Sequence, residues 1–213
     1  MNNIILQVKD LSISFDNSTL FSNLSFEIFQ GEKVTIIGAS GTGKSTLINT
    51  LCGFNLNFSG QITIFNMPLD ILHLFQIRNK ISWLPQELQF PFDSVKELFY
   101  FPFDFNVNRH LKPAQKDIEE LFEIFNLNTK LLDKRLSEIS GGQKQRIIWV
   151  SILLLKKPIM FLDEPTSALD EDNIKKVTDY LFTQKDLTII AASHNNYWIN
   201  QSDKIINIEK YAQ

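Results

Sequence analysis

Cysteine is almost missing from this chain. Cys52 is the one thiol in 213 residues, so no intrachain disulfide and no cysteine metal cluster can form, and a reducing compartment is the natural setting. A basic excess is missing as well. Lysines and arginines number 21 against 24 aspartates and glutamates, giving a net charge of -3 and a pI ≈ 5.6. A protein that grips a nucleic-acid backbone carries a basic face, so no nucleic-acid partner is expected. No apolar run is long enough to span a bilayer: the most apolar segment, Ile147 to Leu162, is cut by Lys156, Lys157 and Pro158. Met1 to Asp10 lacks a basic region followed by an apolar core, so no secretory signal is expected and the chain is expected to stay inside the cell. Repeats, low-complexity tracts and interdomain linkers are absent too, and the length suits one domain with a sizeable subdomain. Phenylalanine is what the chain has in quantity. Many of its 18 copies fall in the middle third, more aromatic surface than catalysis alone explains.

The apolar pattern predicts an α/β fold. Ile4 to Phe15, with Leu11, Ile13 and Phe15 alternating, and Leu20 to Phe29 read as strands ahead of a Gly31-Glu32 turn. Val34 to Ile37 has the β-branched character of a buried strand, and Lys44 to Leu51 continues as a helix. Gln61 to Phe65 is a short strand ended by a break at Met67-Pro68, and Ile81 to Leu84 is another that ends at Pro85-Gln86. From Phe90 to Arg135 the character becomes helical, with Ile118, Leu121, Phe122 and Phe125 at helical spacing. Ser140 can cap a helix through Leu155 that is apolar from Ile147 and expected to be buried all round. Ile159 to Leu162, Leu187 to Ala192 and Lys204 to Ile208 then alternate with a helix around Asn173 to Phe182, as in a parallel sheet covered by helices.

Between the strand at Val34 and the helix at Lys44 lies Gly38 to Thr46, GASGTGKST. Its spacing is that of a P-loop. Glycines let backbone N–H groups approach phosphate oxygens, Lys44 can reach the β- and γ-phosphates, and Ser45 can ligate Mg2+. Gly38, Ser40, Gly41, Thr42, Gly43, Lys44, Ser45 and Thr46 are therefore the candidate phosphate-binding residues, and the new helix adds its positive dipole end. Asp163 and Glu164 follow a predicted parallel strand at its carboxyl end, where open α/β sheets place their ligands. Asp163 can hold the magnesium, and Glu164 can orient and deprotonate a water for in-line attack on the γ-phosphate.

Ser140-Gly141-Gly142-Gln143, then Asp163-Glu164-Pro165-Thr166-Ser167-Ala168-Leu169-Asp170, then Ser193-His194, following the P-loop in that order, resemble an ATP-binding cassette (ABC) ATPase over essentially the whole chain. The resemblance implies one domain, 1–213, with a RecA-like P-loop core, an antiparallel β-subdomain and a helical subdomain at about 87–139. It also implies two such modules clamping two ATP molecules head to tail. Ser140, Gly141, Gly142 and Gln143 then form the signature loop, which donates hydrogen bonds to the γ-phosphate held by the other subunit. Ile139 stands where the family usually has Leu. By the same resemblance, His194 is the switch histidine that contacts the γ-phosphate and Glu164. Gln86 is a magnesium and water ligand that links the core to the helical insert, and Asp170 ends a loop that touches the partner. Phe15 stands where the family more often has the tyrosine that stacks on adenine, and it reads equally as a core strand residue beside Leu11 and Ile13.

A single cassette without a membrane span resembles the separately encoded ATPase subunit of a bacterial transporter. Its implied partners are an integral membrane transporter subunit and a second copy of itself or a homologous ATPase subunit. Its implied location is the cytoplasmic face of the cell membrane, as a peripheral protein. Phe90 to Phe105 is open to two readings, a docking surface for the membrane partner or the core of the helical insert. Phe90-Pro91-Phe92 and Phe101-Pro102-Phe103 resemble the small metal-export type of ATPase subunit. The alternative class is a non-transport ABC-type ATPase acting on a soluble or nucleic-acid complex.

Overall fold

Strands that are apolar on both faces can be satisfied only between two layers, and they set the centre of this fold. The structure, a computed structural model, describes residues 3–15, 18–86 and 91–211. β1 (Ile4–Phe15) and β2 (Ser18–Phe29) are followed by β3 (Lys33–Ile37), α1 (Lys44–Leu51), β4 (Ser59–Ile64) and β5 (Met67–Pro68). Next come α2 (Leu74–Arg78), β6 (Ile81–Leu84), α3 (Val95–Asp104), α4 (Gln115–Ile124) and α5 (Gly141–Leu154). β7 (Ile159–Asp163), α6 (Glu171–Thr183), β8 (Thr188–Ala192), α7 (Asn196–Gln201) and β9 (Lys204–Asn207) complete the regular elements. The strands form a five-stranded sheet in the order β6-β7-β8-β3-β9, parallel at every pairing, and a four-stranded antiparallel sheet in the order β2-β1-β4-β5.

Side-chain alternation in β7 divides the core. Ile159 and Phe161 face one hydrophobic cluster, shared with α1 and the antiparallel sheet. Met160 and Leu162 face the other, shared with α3, α4, α5, α6 and α7. One strand thus joins both layers, each fully buried apolar side chain contributing about 1.5–3 kcal/mol. From Ile147 to Leu155 the α5 segment is buried except for partly exposed Leu153; its apolar run is broken at Ser151, whose buried hydroxyl donates to the Phe99 carbonyl at 2.6 Å.

Met67-Pro68, expected as a break, is instead β5, paired with β4 through Ile64↔Met67 and Thr63↔Pro68. The two residues between them, Phe65 and Asn66, both have left-handed backbone (φ 54 and 60), the conformation of a tight type I′ hairpin turn. The helical segment opens with α3, whose Ser94 and Glu97 form a reciprocal capping box. Phe99 and Phe103 are buried on one side of α3, whereas Phe101 and Phe105 are 38% and 51% exposed on the other. The aromatic stretch therefore supplies both core and surface. Phe90 lies outside the described residues. Among those described, no helix is long and apolar enough to cross a membrane.

Candidate functional site

Four adjacent strands, β6, β7, β8 and β3, carry Gln86, Asp163-Glu164, His194 and the Gly38 loop at or just beyond their carboxyl ends, respectively. In an open parallel sheet, the carboxyl ends of the strands are where ligands bind. Gly43, at φ 95, turns the loop into α1, and a Cβ there would lie 2.4 Å from Leu20 Cδ2. Helix α1 begins at Lys44 with no side-chain cap, so its first N–H groups are left for an anion. Lys44 is buried and donates from Nζ to the carbonyls of Gly38 (2.8 Å) and Ala39 (3.0 Å), folded back over the loop it serves. The entry to the loop is tied down by the C-terminal turn: the Ala39 N–H donates to Glu209 Oε1.

A cleft of about 290 Å³ opens over this loop. Ser40, Gly41, Gly43, Lys44, Ser45 and Thr46 line one side, and Gln86, Glu164, His194 and Leu20 line the rest. Thr42 turns inward, donating from Oγ1 to the Ala39 carbonyl at 2.8 Å. Asp163, the last residue of β7, is 6% exposed and accepts from Ser45 Oγ at 3.0 Å. Burial pushes its pKa up, opposed by the Ser45 hydroxyl and the Lys44 charge. No group of three or more His, Cys, Asp or Glu could hold a metal among the described residues. A single carboxylate beside a hydroxyl at a phosphate loop does fit Mg2+, which takes few protein ligands and completes its shell with water and phosphate oxygens.

Glu164 adopts φ 48, a left-handed conformation that costs a non-glycine residue about 1–3 kcal/mol, and its N–H donates to the Ala192 carbonyl at 2.9 Å. The turn directs its carboxylate into the cleft, where His194 Nε2 lies 3.4 Å from Oε1. Burial raises the Glu164 pKa. The charges of His194 and Lys44 pull it down, and Asp163 pushes it up. A carboxylate raised in this way is a better proton acceptor near neutral pH.

Ser140 caps α5: its hydroxyl accepts from the Gln143 N–H (3.2 Å), while Gln143 Oε1 accepts from the Ser140 N–H (3.0 Å). Neither Ser140, Gly141, Gly142 nor Gln143 lines the cleft over the P-loop. Asp170 caps α6, accepting from the Asn173 N–H at 2.9 Å, and stays exposed. Phe15 ends β1, and its side chain lies outside the described residues, as does the adenine-stacking role expected of it. Leu20 and Glu209 are site neighbours that the sequence did not point to. Leu20 looks like any strand residue, and Glu209 like any surface charge; only the tertiary fold brings them to the loop.

The ABC transporter family model matches residues 21–167. A tyrosine transport ATP-binding protein of Clostridioides difficile is 32% identical over 97% of this chain and 89% of its own length. FetA of Escherichia coli, named a probable iron export ATP-binding protein, is 28% identical over 99% of this chain and 94% of its own length. A solved dimeric structure of a bacterial ABC transporter cassette superposes with a TM-score of 0.81 at 25% identity, over 96% of this chain and 94% of that one. With a P-loop, paired carboxylates and a helix-capping Ser-Gly-Gly-Gln on the predicted scaffold, the chain belongs to the ABC transporter family, as one of its ATP-binding, ATP-hydrolysing cassettes.

Proposed function

We propose that this chain hydrolyses MgATP in a site completed by a second cassette, and that closing and reopening of the pair drives a membrane partner. The observation that carries the reading is the split between the two half-sites. Lys44, Ser45, Gln86, Glu164 and His194 surround one cleft, while the capped N-terminus of α5 with Ser140 to Gln143 lies outside it. In a head-to-tail pair, the Ser140 to Gln143 loop of one copy donates to the γ-phosphate lying on the P-loop of the other. Ser45 and Asp163, with Gln86, would hold the magnesium, which would supply charge neutralisation at the phosphates. Lys44 leaves its carbonyl partners for the phosphates. Glu164 accepts a proton from the attacking water as the water oxygen bonds to the γ-phosphorus and the bond to the β–γ bridging oxygen breaks, releasing ADP and phosphate. His194 orients Glu164 and contacts the γ-phosphate. Asp170 and its loop meet the second copy.

The helical subdomain, 87–139, meets the membrane partner. An apolar groove of about 280 Å³ runs between β6, α3 and α5, with Trp83, Pro85, Phe101 and Phe105 in its lining. Pro85 is in the groove and Gln86 in the nucleotide cleft, so a segment docked in the first sits one residue from the second. In this reading the chain works at the cytoplasmic face of the cell membrane, as a peripheral protein. Relatives whose names specify tyrosine transport and iron export are comparably similar, so cargo and direction belong to the membrane partner.

Glu164→Gln tests the reading. The variant is expected to bind ATP with unchanged affinity, to turn over about 10²- to 10⁴-fold more slowly, and to accumulate an ATP-bound dimer in sedimentation. Near-normal turnover removes Glu164 as the base.

A further inference from the structure

Arg146, one turn into α5, meets three elements. Its Nε donates to the Gly142 carbonyl at 3.2 Å, and Nη1 donates to the Phe125 and Asn126 carbonyls at 3.0 and 3.1 Å. Those two carbonyls belong to the C-cap of α4 and the residue after it, where Asn126 takes the left-handed backbone (φ 55) that closes the helix and the Arg146 guanidinium meets the negative end of its dipole. The same nitrogen donates to Asn173 Oδ1 at 3.1 Å. Asn173 is 8% exposed, and its Nδ2 donates to both carboxylate oxygens of Asp170, at 2.9 and 2.8 Å. The side chains thus run guanidinium, amide, carboxylate, from the signature helix to the cap of α6.

The loop held at Asp170 begins at Glu164. Helix α5 grips that loop near its start as well, because Trp149 Nε1 donates to the Pro165 carbonyl at 3.3 Å. Between these anchors, Gly142 comes so close to the loop that a Cβ on it would lie 3.0 Å from the Ala168 carbonyl oxygen. The chain's own base and the α5 N-terminus it offers to another copy are therefore mounted on the same fixed loop.

We infer that Arg146 is a positioning residue, with Asn173 as its adapter. It locks the donor end of α5 to the loop from Glu164 to Asp170, so that the group a cassette contributes in trans and the base it uses in cis move as one body. A planar guanidinium suits four acceptors lying in different directions; the ammonium of lysine, a compact point charge, does not. This inference rests on the two-copy site proposed above.

The test uses full-length chains carrying Glu164→Gln, comparing the parent with Arg146→Gln, Arg146→Lys and Asn173→Leu. Two quantities are read: ATP affinity of the monomer and dissociation of the ATP-bound dimer. Expected is monomer affinity within about twofold of the parent, with the dissociation constant of the ATP-bound dimer raised about tenfold or more by Arg146→Gln, a fold-change of the size that one charge-assisted hydrogen bond supplies. Arg146→Lys restores only part of it. Asn173→Leu weakens the dimer too, and the Arg146→Gln/Asn173→Leu double variant is no worse than the poorer single one, because both break the same lock. Unchanged dimerisation in folded Arg146→Gln and Asn173→Leu overturns the inference, as do effects that simply add or a loss of monomer ATP affinity equal to the loss of dimerisation. A parent that fails to dimerise with ATP overturns the two-copy site itself, and this inference with it.

Discussion

Asp163 and Glu164 are neighbours in sequence with opposite local demands. Asp163 completes a buried strand and points at Ser45, whereas Glu164 must take a left-handed turn to present its carboxylate beside His194. Both have pKa values raised first by burial. A carboxyl group whose folded pKa lies above its unfolded value binds its proton more tightly in the folded chain. Stability therefore falls as pH rises from the ordinary carboxyl value through the raised one, and the whole cost is present above the raised one. Asp163→Asn keeps an acceptor for the Ser45 hydroxyl and removes that cost. It is expected to stabilise the ATP-free chain by about 0.5–2 kcal/mol in urea unfolding at neutral pH. The gain disappears below the usual aspartate pKa, and magnesium-dependent turnover is lost. A neutral-pH stability equal to or below that of the unmodified chain contradicts the assignment of burial as the dominant cause.

The turn from β3 into α1 shows what an element requires beyond its motif. Gly43 combines φ 95 with a contact that leaves no room for a Cβ beside Leu20. Gly43→Ala is expected to cost at least about 1–2 kcal/mol from the backbone conformation alone and to weaken ATP binding. Trimming Leu20 to Ala in the same chain relieves the side-chain overlap and leaves the backbone cost, so the two changes are non-additive in denaturant unfolding. Elements of this kind were legible from Val34 to Leu51 because strand pattern, glycine spacing and helix pattern all agree locally. The β4–β5 hairpin was not, because Phe65 and Asn66 hold positive φ without a glycine to announce it. Helix α7 escaped notice for a different reason: it has only six residues, and its signal is a single cap, Asn195 Oδ1 accepting from the Trp198 N–H. The residues of the proposed site could be named from the sequence as types and order, while their geometry could not. Nothing local says that Leu20 faces Gly43, that Glu209 holds the P-loop entry, or that Arg146 reaches Asn173. Such pairings arise from packing between elements far apart in the chain.

At the scale of the whole molecule, the parallel sheet gathers Lys44, Ser45, Gln86, Glu164 and His194 around one cleft at its carboxyl end, and the Ser140 to Gln143 loop of α5, proposed as the other half of the site, lies outside it. The two core clusters on opposite faces of β7 hold these halves in a fixed relation, so a single chain cannot close its own Ser140 loop over its own P-loop without giving up that packing. Completion from a second copy is the arrangement we propose to resolve this. The most direct measurement mixes two inactive chains, each also carrying Glu164→Gln: one with Lys44→Ala, which keeps its Ser140 loop, and one with Ser140→Arg, which keeps its P-loop. Trapped nucleotide and dimer mass are then followed with MgATP. Each chain alone is expected to stay monomeric and trap nothing, whereas the mixture forms a heterodimer that traps ATP on the Ser140→Arg chain, because one complete site has been assembled from two halves. A mixture that traps no more ATP than its separate components would contradict the shared site.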